Sequence, residues 1–594
     1  EARRVADLVA FLRAERVIDD LSQVALLLHS VRENHSGRYL RAFEARGLPA
    51  YCPRARTYFD NDEVRLVVGA FAVLFGYHGD GRGVVSPALQ PFSDYVDACL
   101  VDLAKACGRS PELTEALRRL TAEIDGLGEG ESLDTRPADY LYRLLALDPF
   151  PAFLGNENRA RNLAVFSQLL NTFQAFYHFN IVTFGNRQAL RFRLFSSFLR
   201  LLHEDGLNDW EDPETPFPKG HVQVLTIHQS KGLEFPVVIV GSLNASISAQ
   251  KEIDRDLGPF YRRPPFEPEA RITGFDRMRL HYVAFTRAEK VLVLTAPAPP
   301  KPRFAPIWQG LPQWPHVQKE ILAAQAFEYR ERIPVKRRYS FTGDLRVYET
   351  CPRQYQFFRA WDFTPSRSAV IFFGLLVHQT IEEIHRIVLD GHADELDEAR
   401  VREIFDRTHD VLCLQDVRPI GPAARENALG QVLRYVAENR DLMVRVIETE
   451  IDVSVEKDDY ILAGKVDLLL GGDGRFELLD FKTSPRPVGS PALLQAYERQ
   501  LATYAHILEK RHGRKVDRLL LYWTAEPTRA EALMELPNRP GLADEAGRHF
   551  DDVVARIRAH EFGVAKAPEP KICKECDIRP YCASVGPLRV GPCR

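Results

Sequence analysis

Residues Leu462 to Ser484, LAGKVDLLLGGDGRFELLDFKTS, read as two short strands joined by a tight turn. Val466, Leu468 and Leu470, then Phe476, Leu478 and Leu479, supply the apolar positions of the strands, and GGDG is a hairpin signal. Three polar residues interrupt these apolar runs. Asp467 sits inside the first strand, and Asp480 and Lys482 lie two apart on the second, so both point to one face. Two carboxylates from paired strands can share a divalent cation, which favours hard oxygen ligands. A lysine beside that cation can orient a water or steady a phosphate oxygen. The alternative is an edge hairpin whose charges are simply solvated, so the surrounding chain must decide.

The chain has 594 residues, enough for about three or four domains. Its 45% apolar and 27% charged residues describe an ordinary globular protein. No apolar run approaches the roughly 18 residues of a membrane span, so no membrane is expected. The opening EARRVADLVAFLRAERV patterns as an amphipathic helix and not as a secretory signal. A net charge of −4 neither announces nor excludes a basic channel for nucleic acid. Nine cysteines are too sparse for a disulfide scaffold. Their crowding near the C-terminus points to metal and to a reducing, cytoplasmic setting.

Around the hairpin, YSFTGDLRVYETCPRQYQFFRAW (Tyr339 to Trp361) opens a helix carrying Cys351, and FFGLLVHQTIEEIH (Phe372 to His385) is an amphipathic helix carrying His378. RQLATYAHIL (Arg499 to Leu508) is helical, with Gln500 and Tyr504 on one face. VDRLLLYWT (Val516 to Thr524) reads as a further strand. In order, Gly374 to His378 (GxxxH), Gly464 to Asp467 (GxxD), Asp480 to Lys482 (DFK) and Gln500 to Tyr504 (QxxxY) resemble the RecB-like PD-(D/E)xK nucleases, with no active-site position departing from the pattern. The resemblance implies that His378, Asp467 and Asp480 bind Mg²⁺ or Mn²⁺, joined by the Phe481 carbonyl. It implies that Lys482 positions or activates the attacking water, and that Gln500 and Tyr504 hold the substrate strand or orient the lysine. A lone helical histidine is more often packed core; its place in this ordered set makes His378 a ligand.

The C-terminal C-x2-C-x5-C gives Cys573, Cys576 and Cys582, with Cys351 remote. Four thiolates can hold a [4Fe–4S] cluster or zinc. Zinc ribbons usually use two close pairs, and here the spacing is one plus three. The pattern resembles the iron–sulfur staple of AddB-type nucleases and of related CRISPR-associated nucleases, which implies a structural cluster closing a loop of about 220 residues. Cys593 is expected to be a spare; Cys52, Cys99, Cys107 and Cys413 look like ordinary apolar residues.

The N-terminal half has another rhythm. VALLLH (Val24 to His29) patterns as a buried strand, followed by helices. HVQVLTIHQSKGLEFPVVIVGSL holds two apolar strands around a polar loop, and DRMRLHYVAFTRAEKVLVLT is a helix running into a strand. TIHQSKGLEF and LHYVAFTRA, with the earlier YLRAFEARGLPAYC region, resemble motifs V, VI and IV of the second motor domain of UvrD-like superfamily 1 helicases. The resemblance implies DNA contacts from Thr226, His228 and Lys231, and nucleotide contacts from Gly232, Glu234 and Arg287, the last reaching the γ-phosphate as a finger that stabilises phosphoryl-transfer charge. His29 stands where the family usually carries an arginine. No GxxxxGK[ST] and no acidic motif II is present. ATP is therefore expected to act only with a first motor domain supplied in cis or in trans, and no ATPase from these residues alone.

The expected fold class is α/β: a RecA-like motor domain (1–80 and 216–298) with a helical insertion (81–215), a proline-rich linker (299–338), and an α/β restriction-endonuclease-like nuclease domain (339–594). The expected function is that of the C-terminal part of an ATP-dependent DNA helicase–nuclease in break processing, acting on single strands or duplex ends. A further partner is expected in a second helicase–nuclease subunit. The well-formed motifs V and VI argue against an AddB-type subunit. One alternative is a stand-alone metal-dependent nuclease with the helicase remnant as a DNA-binding scaffold. Another is an inactive structural subunit, which the complete His378, Asp467, Asp480, Lys482 set opposes.

Overall fold

The structure is a computed structural model that describes the chain except residues 53–57, 80–86, 88, 180, 206, 208–217, 245–255, 257–259, 261–268, 297–303, 317–335, 366–368, 415–418, 473, 490, 514, 566–567 and 585–594. Most of the expected linker (299–338), the turn residue Asp473 and the spare Cys593 thus lie outside the described residues. The chain divides into two compact units, Glu1–Arg65 with Arg200–Val335, and Leu66–Leu199 with Lys336–Arg594. The helical segment interrupts the first unit in sequence and groups in space with the C-terminal residues.

The first unit is built on five parallel strands: β1 (Val24–Leu28), β2 (Ala50–Tyr51), β3 (Val222–Thr226), β4 (Phe235–Val240) and β5 (Ala288–Leu294), in the order β2-β3-β1-β4-β5. Parallel strands buried on both faces read as continuous apolar runs, and VALLL is one. Val24, Leu26 and Leu28 pack on one side with residues of helices α1 (Ala2–Ala14) and α2 (Glu33–Glu44). Ala25 and Leu27 pack on the other side with Ala284 of α3 (Glu269–Phe285).

In the second unit, the helices of Leu66–Leu199 close around Phe71, Phe75, Tyr140 and Phe166. The C-terminal portion is a six-stranded sheet: β6 (Arg338–Ser340), β7 (Val446–Glu456), β8 (Ile461–Gly472), β9 (Arg475–Lys482), β10 (Arg518–Trp523) and β11 (Leu533–Leu536). Strands β8 and β9 form the expected antiparallel hairpin, with Gly472 opposite Arg475. Strand β9 pairs in parallel with β10, and β7 pairs antiparallel with β8.

Helices α4 (Ala369–Leu389), α5 (Glu398–Cys413) and α6 (Pro422–Glu438) cover one face of this sheet with Leu468, Leu470, Leu479 and Phe481. Helices α7 (Pro491–His512) and α8 (Leu542–Arg558) cover the other with Leu462, Val466, Leu478 and Leu519. Leu478 and Leu479 thus face opposite layers, and by the same alternation Asp480 and Lys482 face α7. On β8 the alternation breaks: Val466 belongs to the α7 layer, and Leu468, two residues on, to the α4 layer. The break falls at Asp467. No described helix is long and apolar enough to cross a membrane.

Candidate active site

Six residues expected from the sequence line one pocket of about 380 Å³: His378, Asp467, Asp480, Lys482, Gln500 and Tyr504. They come from α4, from the β8–β9 hairpin and from α7. The two strands place the carboxylates, and the helices on opposite faces close over them. Asp467 Oδ2 accepts the Phe481 main-chain N–H at 2.8 Å and lies 3.6 Å from His378 Nδ1. His378 also has a backbone hydrogen bond to Phe481. The Phe481 main chain therefore stands between the two side chains most disposed to hold a cation.

Asp480 is buried, with Oδ2 against the Lys482 ammonium and Oδ1 accepting from Gln500 Nε2 at 2.9 Å. Gln500 turns its Oε1 to Lys482 Nζ at 3.3 Å and its Nε2 also toward the Tyr504 hydroxyl at 3.3 Å. One side-chain amide so fixes both Asp480 and Lys482, which the i,i+4 spacing of Gln500 and Tyr504 prepares. The Lys482 ammonium sits 4.4 Å from the Tyr497 ring centre, adding a cation–π contact. Tyr504 packs where a Cβ on Gly464 would stand, 2.7 Å from its Cε1, so the glycine of GxxD makes room for the tyrosine of QxxxY. A Cβ on Gly374 would meet only Thr483 Oγ1 at 3.7 Å, an ordinary contact, so its presence has no steric reason there.

Burial holds the His378 imidazole neutral, below its usual range, which leaves a lone pair for a metal. Burial and the neighbouring Asp480 charge push the Asp467 carboxyl well above the usual carboxylate range.

Sequence reasoning missed one residue. The ligand atoms of His378, Glu450 and Asp467 all lie within 4.8 Å of one another. Glu450 stands on β7 between Ile451, which pairs with Val466, and Thr449, which pairs with Leu468; it therefore lies across from Asp467, at the break in alternation. Its φ is +50°, a left-handed backbone inside a strand. For a non-glycine residue this costs about 1–2 kcal/mol, and such strain gathers at functional sites. Lys465 Nζ lies 2.6 Å from Glu450 Oε2. Nothing in ETEID separates Glu450 from Glu448 by pattern; only the strand pairing does. The donor set is one imidazole and hard carboxylate oxygens, a set that suits a divalent cation.

The Cys351 segment and the C-terminal cysteines lie near one another. The short helix after Cys351 carries Arg353, whose Nη1 lies 3.7 Å from Cys582 Sγ, and Gln354, which hydrogen-bonds Cys576. Cys576 and Cys582 interact, and burial pushes the Cys576 thiol up to about 12. Cys573 leads into Cys576 through a backbone bond from Cys576 N to Cys573 O. None of the eight cysteines among the described residues is in a disulfide. The remote Cys351 segment and the C-terminal trio are thus neighbours, although among the described residues only His378, Glu450 and Asp467 bring three ligand atoms within 4.8 Å of one another.

In the first unit, Thr226 ends β3, and His228, Lys231, Gly232 and Glu234 lie in the loop that joins it to β4. Thr226 and Gln229 brace it: Thr226 N donates to Gln229 Oε1 at 2.7 Å, and Gln229 N donates to Thr226 Oγ1 at 3.2 Å. Gly232 takes φ +82°, so the turn needs its missing Cβ. His228 and Lys231 are exposed. Arg287 joins the loop to the end of α3: Nη1 donates to Leu233 O at 2.9 Å and Nε to Val283 O at 3.0 Å. The fold therefore brings Arg287 beside Gly232 and Glu234. His29 and His228 lie close enough to interact, with burial holding His29 below its usual range.

Comparison with known proteins gives two family profiles. The PD-(D/E)XK nuclease superfamily matches residues 340–583, and the UvrD-like helicase C-terminal domain matches residues 118–298. The chain is 25% identical over 345 residues to an ATP-dependent helicase/nuclease subunit of Desulforudis audaxviator, covering 50% of this chain and 26% of that protein. It is 27% identical over 329 residues to the protein of the same name from Pelotomaculum thermopropionicum, covering 48% and 24%. A third, from Listeria monocytogenes, is 36% identical over 98 residues, 13% of this chain and 8% of that protein. The chain spans about a quarter of the length of the first two relatives.

Proposed function

From a chain that carries a UvrD-like helicase C-terminal domain and a PD-(D/E)XK nuclease domain, we propose metal-dependent hydrolysis of DNA phosphodiester bonds, within a helicase–nuclease that processes DNA ends for repair. The observation that carries this reading is the convergence of His378, Asp467, Asp480, Lys482, Gln500 and Tyr504 on one pocket. His378, Glu450, Asp467 and Asp480 would hold the cation. Bound there, Mg²⁺ or Mn²⁺ supplies Lewis-acid stabilisation of phosphate charge and acidifies water. Lys482, pinned by Asp480 and Gln500, orients the attacking water. Gln500 and Tyr504 set the lysine and line the path of the strand.

In the same reading Cys351, Cys573, Cys576 and Cys582 hold a structural [4Fe–4S] cluster, which accords with a reducing, cytoplasmic setting. Thr226, His228 and Lys231 contact the DNA strand. Gly232, Glu234 and Arg287 face ATP once a first motor domain is supplied, in cis or in trans; a second subunit would complete the enzyme. Residues 1–80 with 216–298 act as the motor half, 81–215 as its insertion, and 339–594 as the nuclease.

The test is cutting of 5′- and 3′-labelled single-stranded DNA in Mn²⁺ or Mg²⁺ without ATP, by protein purified without oxygen. Wild type cuts; Lys482→Ala and Asp480→Ala do not. Cutting that survives both substitutions overturns the assignment of the pocket.

A further inference from the structure

We propose that Lys465 is a positioning residue of the metal pocket: an internal counter-cation that holds the Glu450 carboxylate until the divalent cation binds and displaces it. The inference rests on the reading of this pocket as a metal site. Lys465 and Asp467 lie two apart on β8 at the alternation break, and Lys465 lines the same pocket as His378, Asp467 and Asp480. Its ammonium is 2.6 Å from Glu450 Oε2, and Glu450 has a ligand atom within 4.8 Å of those of His378 and Asp467. The carboxylate that would take the metal is therefore already paired with a cation of the protein's own.

The two lysines of the pocket differ in a way that assigns them different work. The Lys482 side chain is 15% exposed and held by Asp480, Gln500 and the Tyr497 ring. The Lys465 side chain is 54% exposed, whereas that of its partner Glu450 is only 12% exposed. Lys482 is fixed; Lys465 is tethered at its tip and solvated along its stem. A divalent cation placed among His378, Glu450 and Asp467 would stand within a few ångströms of the Lys465 ammonium, and like charges so close repel strongly. The lysine is the group that yields, because its stem is solvated and its movement leaves no buried charge unpaired. Released, it stands at the pocket mouth, where a substrate phosphate can take it. The exchange leaves Glu450 in place and changes only its counter-ion.

The experiment is Mn²⁺ titration of the full chain, with free Mn²⁺ read by electron paramagnetic resonance, for wild type, Lys465→Met, Glu450→Gln, the double variant and Asp467→Asn. Near-ultraviolet circular dichroism shows that each variant is folded. Lys465→Met keeps the stem and removes the charge; it should bind Mn²⁺ about three- to tenfold tighter than wild type. Glu450→Gln should bind more weakly, and in that background Lys465→Met should change affinity by less than about twofold, because the competition it relieves is gone. Unchanged or weaker binding by Lys465→Met, with binding abolished in Asp467→Asn, overturns the proposal and leaves the metal site intact. Binding that Asp467→Asn does not affect overturns the metal reading of the pocket itself.

Discussion

At the scale of single residues, the pocket depends on groups that hold no metal. Gln500 donates to Asp480 and accepts from Lys482, so its loss frees both while removing no ligand. Gln500→Ala should slow cutting roughly 10- to 100-fold, the usual cost of a lost supporting contact, with Mn²⁺ affinity changed far less; single-turnover rates at saturating Mn²⁺ check it. Gly464 makes the same point through space. A methyl group there would stand 2.7 Å from the Tyr504 ring, which must then shift from Gln500. Gly464→Ala should destabilise the protein by about 1–3 kcal/mol, read as a lower urea midpoint, and should lose activity as well. Asp480 and Lys482 were legible because a two-residue spacing on a strand puts them on one face, and Asp467 because it interrupts an apolar run. Glu450 was not, because what selects it is a left-handed backbone and a place across from Asp467, and neither leaves a mark on one strand's own sequence.

At the scale of elements, α4 carries a second histidine that belongs to packing. His385 is buried two turns beyond His378, with its ring stacked on Phe481 and its Nε2 2.9 Å from the Tyr435 hydroxyl of α6. Burial lowers its pKa to about 3. A depressed histidine favours the fold above its unfolded pKa near 6.5, and that contribution is lost as pH falls toward 3, because the unfolded chain takes up a proton that the fold refuses. Between pH 7 and pH 4.5 this should remove roughly 2–3 kcal/mol of stability. His385→Phe should flatten that acid slope whatever it does to stability at neutral pH; urea midpoints measured against pH decide it, and an unchanged slope would place the acid sensitivity elsewhere. The same helix explains what sequence conveyed about elements. The apolar periodicity of α4 and α7 and the β8–β9 hairpin were readable because each is a local pattern. The sheet order was not, since β6 reaches β8 across more than a hundred residues and β9 meets β10 through a crossover.

At the scale of the whole molecule, a cluster held by Cys351, Cys573, Cys576 and Cys582 would set the largest closure. Cys351 opens the C-terminal portion and Cys582 nearly ends its described residues, and all of α4 to α8 lies between them. Arg353 and Gln354 already bring the two ends together without the cluster. A cross-link over a loop of about 220 residues withdraws chain entropy from the unfolded state worth roughly 5 kcal/mol as an upper bound. The helical segment adds a second tie within this unit. Ser167 Oγ accepts the Thr364 N–H at 3.0 Å, Gln168 donates to the Asp362 carbonyl at 2.7 Å, and the helix Arg579–Ser584 that carries Cys582 packs against Pro137–Leu144. The proposed cluster would therefore sit where the ends of the nuclease portion and the helical segment meet, and its loss should be felt as loosening there before it is felt at the metal pocket. Cys351→Ser should remove the brown colour, lower thermal stability and expose the C-terminal helices to protease, while Mn²⁺ binding at His378 and Asp467 falls much less. A colourless wild-type protein carrying zinc would keep the closure and change only the ion that makes it. A brown Cys351→Ser variant with wild-type protease resistance would show that Cys351 is no ligand and that hydrogen bonds alone hold the two ends.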